Sequence, residues 1–474
     1  MNKSSFTRKL ILKTISSLIL GLITILIIQA KKIEKITLSP NFGNLLGRNI
    51  DNVDDKPDSG LVLDNIAGGV YIDVGRKIFV APDNQIFICG YSFNGKNVDP
   101  IIINVDTNGR FNSNFGDNGI LVIDKVDDIH LFDSESIYVR DQKIYLIGDY
   151  WKSKGFVARF NYEGKLDNSF GKNGIVKIEN KDKKEEIVSL REIYVDKNHN
   201  VFVIGNFHEY KNVDSKKQEY NINSFLLKLD QNGNFDKSFG SNGFLFLQTP
   251  LKKALLSNLV FDNQQKILLS GSGENSKTKE DVFIIKLNQN GTFDTTFANK
   301  GKIIFDYKNQ PDACSDIYVD KNNNLYVAID TGQDYRDIIV LKYNHKGYPD
   351  SSFGKKGMVI IDKVLGEKKD KFVNSMKVDS KGRIYLAGAI LKANIDTQLM
   401  VVRINNKGQI DTSFGKNGFI LVDNIAGGKY SDVATSIDLD KNFDIFITGY
   451  STGRIHPNIP KQNTDFIVLK IENI

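Results

Sequence analysis

Short runs in which apolar and polar positions alternate, separated by clusters of Asn, Asp and Gly, fill this chain from residue 61 to residue 474. Alternation with period two is the pattern of half-buried β-strands. One stretch serves as a template. GIVKI (174–178) alternates, a variable loop follows, and then come EIYV (192–195), the turn DKNHN (196–200), VFVIG (201–205), a second variable loop and FLLKL (225–229). Four β-branched or aromatic segments joined in this way predict a four-stranded antiparallel meander.

The template recurs. Its third strand reappears as IFICG (86–90), IYLIG (144–148), ILLSG (267–271), LYVAID (325–330), IYLAG (384–388) and IFITG (445–449), which with VFVIG makes seven units. Between units stands a turn-like signature: NGRFNSNFGDNG (108–119), EGKLDNSFGKNG (163–174), NGNFDKSFGSNG (232–243), NGTFDTTFANKG (290–301), KGYPDSSFGKKG (346–357) and KGQIDTSFGKNG (407–418). Its phenylalanines, Phe115, Phe170, Phe239, Phe297, Phe353 and Phe414, recur at about sixty residues, the spacing of one supersecondary unit repeated. LVLDNIAGGVY (61–71) matches LVDNIAGGKY (421–430), so residue 61 is read as the start of a first strand whose own signature, SPNFGNLLG (39–47), has decayed. The chain then ends in its seventh fourth strand, DFIVLKIENI (465–474). Seven units beginning and ending in one phase predict an all-β fold, a closed seven-bladed β-propeller of four-stranded antiparallel blades over residues 61–474. An open solenoid would need polar caps, and a row of β-sandwiches a period near 90–100 residues.

The signature, Gly-x-x-Asp-x-Ser-Phe-Gly-x-x-Gly followed by a strand, resembles the delta-60 repeat of bacterial exported proteins, over residues 61–474. The resemblance implies a propeller-like fold. It implies no activity, so no catalytic or cofactor-binding residue follows from it. Ala298 departs from the pattern by standing where the other copies have Gly.

Asp and Asn beside Gly, as in DTNGRFN (106–112) and DQNGNFD (230–236), also suggest a calcium loop. Other copies begin with Asn161, Asn288, Asn344 and Asn405, and no acid stands at position twelve to bind the ion in bidentate fashion. A turn accounts for more: Gly109, Gly164, Gly233, Gly291, Gly347 and Gly408 supply positive φ, and Asp167, Asp236, Asp294, Asp350 and Asp411, with Asn112 in the first copy, accept backbone N–H groups. The Phe is then the anchor between adjacent units. Calcium stays the lesser reading, and no other cofactor or metal is expected.

Antiparallel strands put the signature loops and the short hairpin turns on one face, nearly uniform from unit to unit. The opposite face takes the irregular insertions Glu209–Asn221, Gly273–Glu280, Lys363–Lys371 and Thr452–Thr464. Sites tend to form on variable loops held by a rigid frame, so this face is expected to bind the ligand.

The net charge of +6 changes little. Residues 1–35 hold seven of the 63 basic residues and one of the 57 acids, which leaves 56 of each and no basic patch for nucleic acid. Lys3, Arg8, Lys9 and Lys13 precede TISSLILGLITILIIQA (14–30), so residues 1–30 read as a signal peptide or signal-anchor helix and 31–60 as a linker. The body is expected in the periplasm, at the cell surface or secreted, with membrane anchoring through that helix as one option. Cys89 and Cys314 stand in different units and are expected as free buried residues; the five histidines show no ligand spacing.

No nucleophile elbow, phosphate loop or metal-ligand spacing occurs. The leading reading is a monomeric, exported, non-enzymatic binding or scaffolding protein with a protein or glycan partner at the cell envelope. The alternatives are a propeller enzyme, lactonase-like or quinoprotein-like, with its site at the central channel, and a carbohydrate-binding adhesin using Trp151. Buried acids lining the channel would favour the enzyme.

Overall fold

The computed structural model describes residues 60–474 except 69–71, 127–128, 151–153, 180–186, 215–216, 276–279, 334, 365–368, 394–395, 427–429, 453–462 and 473–474. The expected N-terminal helix, the decayed signature and Trp151 lie outside the described residues. Those described form strands and turns, and no helix among them is long and apolar enough to cross a membrane.

Seven antiparallel sheets make seven blades. Their innermost strands, in chain order, are Asp73–Val80, Ile129–Arg140, Ile187–Val195, Lys252–Phe261, Asp312–Val319, Lys371–Val378 and Asp432–Leu439. Each blade steps outward strand by strand, and blade two adds a two-residue fifth strand, Lys125–Val126, beside its inner one.

The repeat is one strand out of phase with the sequence reading. Leu61–Leu63 does not open the first blade. It pairs antiparallel with Thr464–Ile471, Leu61 opposite Val468 and Leu63 opposite Phe466, as the outermost strand of blade seven. The signature therefore joins the third and outermost strands within a blade rather than one blade to the next. Local alternation carries no information on which strand begins a sheet, and closure decides it: a ring sealed by both ends of the chain leaves no unpaired seam.

Each of the seven hydrophobic cores lies between two neighbouring blades, and the seventh joins Ile78, Ile86 and Ile88 of blade one to Phe446, Phe466 and Val468 of blade seven. The second and third strands are buried on both faces, which is why VFVIG and FLLKL read as nearly continuous apolar runs. The six signature phenylalanines are fully or almost fully buried in these seams, as anchors between units.

In five of the six signatures a cation from the third strand caps the ring. Arg159 lies 4.6 Å over Phe170, Arg403 4.6 Å over Phe414 and Lys286 5.2 Å over Phe297. Signatures also bond to one another across seams, Gly116 N–H to the carbonyl of Glu163, Gly171 to Asn232, Ala298 to Lys346 and Gly354 to Lys407. The loop needs φ of 52° at Gly116 and 57° at Gly171, and Ala298 takes 43°. An alanine there costs about 1 kcal/mol relative to glycine.

Of the expected irregular insertions, Glu209–Asn221 is regular. The middle strands of blade three run on as a hairpin, Val201–Asp214 and Lys217–Leu229, with Tyr210 paired to Tyr220. Residues 276–279, 365–368 and 453–462 of the other three lie outside the described residues. Cys89 and Cys314 are buried free thiols, and burial pushes both up to about 12.

The closing strand yields a prediction. Leu61 is buried at the seam, so Leu61→Ala should cost about 2–4 kcal/mol, measured by urea denaturation. A cost below about 0.5 kcal/mol, the range of surface changes, would mean that the strand does not seal the ring.

Candidate functional site at the channel mouth

On the uniform face the signature turns satisfy their own carboxylates. Asp230 accepts the N–H groups of Asn232 and Asn234 at 2.9 and 2.8 Å and the Asn234 amide at 3.0 Å. Asp236 accepts Ser238 N–H and hydroxyl at 3.0 and 2.6 Å and Lys228 at 2.8 Å. The same pattern recurs at Asp167, Asp294, Asp350 and Asp411. Partial burial works against these charges, yet hydrogen bonds from the serine or threonine and the neighbouring cation hold all five carboxyls below the usual range. These oxygens are committed to the turn, so the calcium reading of the signature fails on donor supply. A concavity of about 330 Å³ on this face, between blades three and four, is lined by turn residues such as Asp196 and Asn200 that bond each other.

The inner strands arm the channel. All share a β-bulge at the same height, where the register skips Arg76, Glu135, Arg191, Ser257, Ser315, Asn374 or Thr435, and the inner strands of blades two and four carry a second shift nearer their start. A bulge bends the strand and re-aims side chains around it. One step beyond, Lys77 of blade one reaches Glu192 of blade three at 2.6 Å, and Ser136 of blade two donates to the same carboxylate at 2.5 Å. Farther round, Lys377 pairs with Asp438 at 3.2 Å, Asp438 accepts Val80 N–H, and Asp316 accepts Met376 N–H at 2.7 Å. These charges cross-brace the ring. Burial opposes the charge on Lys77, but Glu192 and Asp316 outweigh it and raise its pKa.

Above this layer, on the side of the blade-three hairpin, blades one to three form a charged mouth. Arg76 lies 5.2 Å over the Tyr91 ring and 3.5 Å from Asp133. Asp133 is paired in register with Asp149, the residue after the glycine of IYLIG. Burial, and then the charge of Glu135 against the relief from Arg76, brings Asp133 to about 7. Burial, Glu135 and Asp133 together bring Asp149 to about 7, with Arg191 opposing. Burial also raises Tyr91 and Tyr450, with Arg76 opposing in both. Among the described residues, three buried atoms here have no hydrogen-bond partner: Arg76 Nε, Asp133 Oδ1 and Asp149 Oδ1.

In blades three, four and five the position of Asp149 is structural. Asn206 accepts Leu256 N–H at 3.1 Å, Ser272 accepts Cys314 N–H at 2.9 Å and Asp330 accepts Val373 N–H at 3.1 Å, each bracing the next blade. None of the mouth residues stood out in the sequence. The one available signal was the aspartate in IYLIGD, an acid ending an apolar strand.

A family model described as a domain of unknown function (DUF5122) β-propeller matches residues 266–297 and 382–414, each running from the second strand of a blade into its signature. The chain thus carries propeller repeats of a recognised kind. Among solved structures, a polysaccharide lyase of family PL25, an ulvan lyase bound to -[GlcA(1-4)Rha3S]-, is 12% identical over 85% of this chain and 92% of its own, with a TM-score of 0.43. Drosophila semaphorin 2a is 9% identical over 87% and 74%, TM-score 0.45, and a protein of unknown function from Dyadobacter fermentans 10% over 87% and 98%, TM-score 0.43. Likenesses this distant do not bear on activity. No curated protein matches the sequence.

The opposed carboxyl shifts fix the direction of pH dependence. Burial, before any other cause, lifts Asp73, Asp133, Asp149 and Asp330 to about 7 and Asp432 to about 6, so the folded state holds protons that the unfolded chain has released above about 4. Stability should therefore rise as pH falls from 8 to 5. The signature aspartates are depressed, so their contribution is present above about 4 and disappears as pH falls further. Urea midpoints across pH 3–8 should peak near pH 5; a flat or falling trend from pH 8 to 5 would contradict these assignments.

Proposed function

We propose that this chain is an exported, non-enzymatic binding propeller of the delta-60 repeat type. It captures a protein or glycan partner of the cell envelope on the face bearing the inter-blade connections and the long hairpin of blade three. The basic and apolar stretches of residues 1–30 support export. One observation carries the binding reading: Arg76 Nε, Asp133 Oδ1 and Asp149 Oδ1 are buried at the mouth with no partner among the described residues. Buried polar atoms are paired in the great majority of cases, so a group of unpaired ones around an opening suits a ligand that brings its own donors and acceptors. A guanidinium, carboxyls and two tyrosines favour a hydroxyl-rich ligand, a glycan, over an apolar one.

The same acids favour a second reading. Held to about 7, Asp133 and Asp149 are partly protonated at neutral pH, as acid–base catalysis requires. The two readings separate in one experiment on glycans captured from an oligosaccharide array. Arg76→Ala and Asp149→Asn should each weaken capture about tenfold or more with Tm nearly unchanged, and shortening the 209–221 hairpin should do the same. Undiminished capture in all three variants would overturn the binding proposal. Cleavage of the captured glycan, fastest near pH 7 and lost in Asp149→Asn, would select the enzyme.

A further inference from the structure

Seven blades share six signatures between residues 61 and 474. In the first six blades the outermost strand starts one residue after the last signature glycine, as Ile175 follows Gly174 and Phe419 follows Gly418. In blade seven that strand is Leu61–Leu63, so the corresponding signature lies before residue 61.

Blade seven nevertheless carries the receiving half of a signature contact. In blades one, two, three, five and six an aromatic residue of the second strand meets the signature ring edge-on, with centroids 5.9–6.3 Å apart. Phe446 holds that position in blade seven and is fully buried. The third-strand cation is present too: Lys470 is paired in register with Phe446 and lies 5.6 Å over its ring, as Lys228 does over Phe202. Across the seam, Gly164, Gly233 and Gly347 are buried against the signature ring of the blade before them. Gly109 of blade one, whose preceding blade is blade seven, is buried in the same way.

The charge pattern of blade seven matches one particular segment. Phe-Gly occurs six times in the chain; five of these pairs belong to signatures, and the sixth is Phe42-Gly43. Leu38 stands four residues before Phe42, where every signature has an apolar residue or proline, and Ser39 stands where Asp167 and Asp411 stand. A signature with Ser39 brings no carboxylate for the cation. Lys470 instead pairs with Asp444 of its own hairpin at 2.9 Å, and the six other blades have Gln, Lys, Asn or Arg at the position of Asp444.

We propose that Leu38–Gly43 is the seventh signature and docks in the seam between blades seven and one. Phe42 packs edge-on against Phe446 under Lys470, and Leu38 lies against Ile471, as Ile410 bridges to Ile404. Gly43 N–H donates to the carbonyl of Asn108, the bond that Gly116 makes to Glu163 and Gly171 to Asn232. The N-terminal segment is thereby part of the ring closure, and residues 1–37 leave the molecule on the side opposite the ligand face.

The test uses the full chain in mild detergent, read by Tm and by hydrogen exchange. The Gly43 amide should be protected about 100-fold or more, independent of protein concentration. Phe42→Ala should abolish that protection and lower Tm by about 4 °C or more, whereas Phe6→Ala should change neither. Asp444→Asn strips Lys470 of its carboxylate and should lower Tm. Adding Ser39→Asp should recover about half of that loss or more, since it restores the aspartate of the other signatures. Phe42→Ala without effect on Tm and exchange would overturn the proposal, and so would failure of Ser39→Asp to rescue Asp444→Asn. Protection that grows with protein concentration would seat the segment on a second copy of the chain and overturn it as well.

Discussion

A blade is a sheet whose middle strands are apolar on both faces, so no blade is stable without a neighbour on each side. The repeated contact that meets this constraint is a three-part clamp. A signature aspartate draws the third-strand cation across the face of the signature phenylalanine, and the ring is thereby fixed in the seam toward the next blade. Arg159, Asp167 and Phe170 form it in blade two, and Arg403, Asp411 and Phe414 in blade six. Burying each ring contributes about 1.5–3 kcal/mol, and the capping cation adds to it. The variations follow the same logic. In blade one both charges are absent together, and the Asn112 amide donates to Asn104 Oδ1 at 2.8 Å. In blade four the partners are exchanged: Lys286 pairs with Asp262 at 2.7 Å and Lys266 takes Asp294 at 2.6 Å.

The clamps divide the molecule into two chemical halves. On their own face the signature aspartates are satisfied within their turns or by a neighbouring cation, so repetition there reflects geometry rather than a site. On the other face the same positions differ from blade to blade: Asp149, Asn206, Ser272 and Asp330 occupy one ring, and Asp312, Lys371 and Asp432 another. Three of the first four brace the next blade by a hydrogen bond to its backbone, whereas Asp149 does not and meets Arg191 and two further acids instead.

The sequence made the blade count and the turns legible because both are local. Seven apolar strands of one pattern and six signatures could be counted without any contact known, and positive φ at the turn glycines follows from their spacing. The phase of the repeat was not legible, since which strand lies innermost depends on closure by Leu61–Leu63 against residues 464–471. The bulges were hidden as well, because one extra residue in an alternating run resembles a short irregularity. They carry Arg76, Glu135 and Arg191 to the mouth. Lys77 and Glu192 pair across two blades, which no local pattern records. Reading Glu209–Asn221 as irregular erred differently: its polar composition masked a hairpin that continues the blade in register.

A double-mutant cycle on the clamp of blade six tests the account at its centre. Arg403→Asn and Asp411→Asn each leave a partner unpaired, and each should destabilise the protein by about 1–3 kcal/mol in urea unfolding. The double variant recreates the neutral Asn104–Asn112 pair of blade one. It should be less destabilised than the sum of the two changes by about 1–2 kcal/mol. Strictly additive losses would show that the aspartate and the cation act independently, and would contradict the clamp as the contact on which the ring depends.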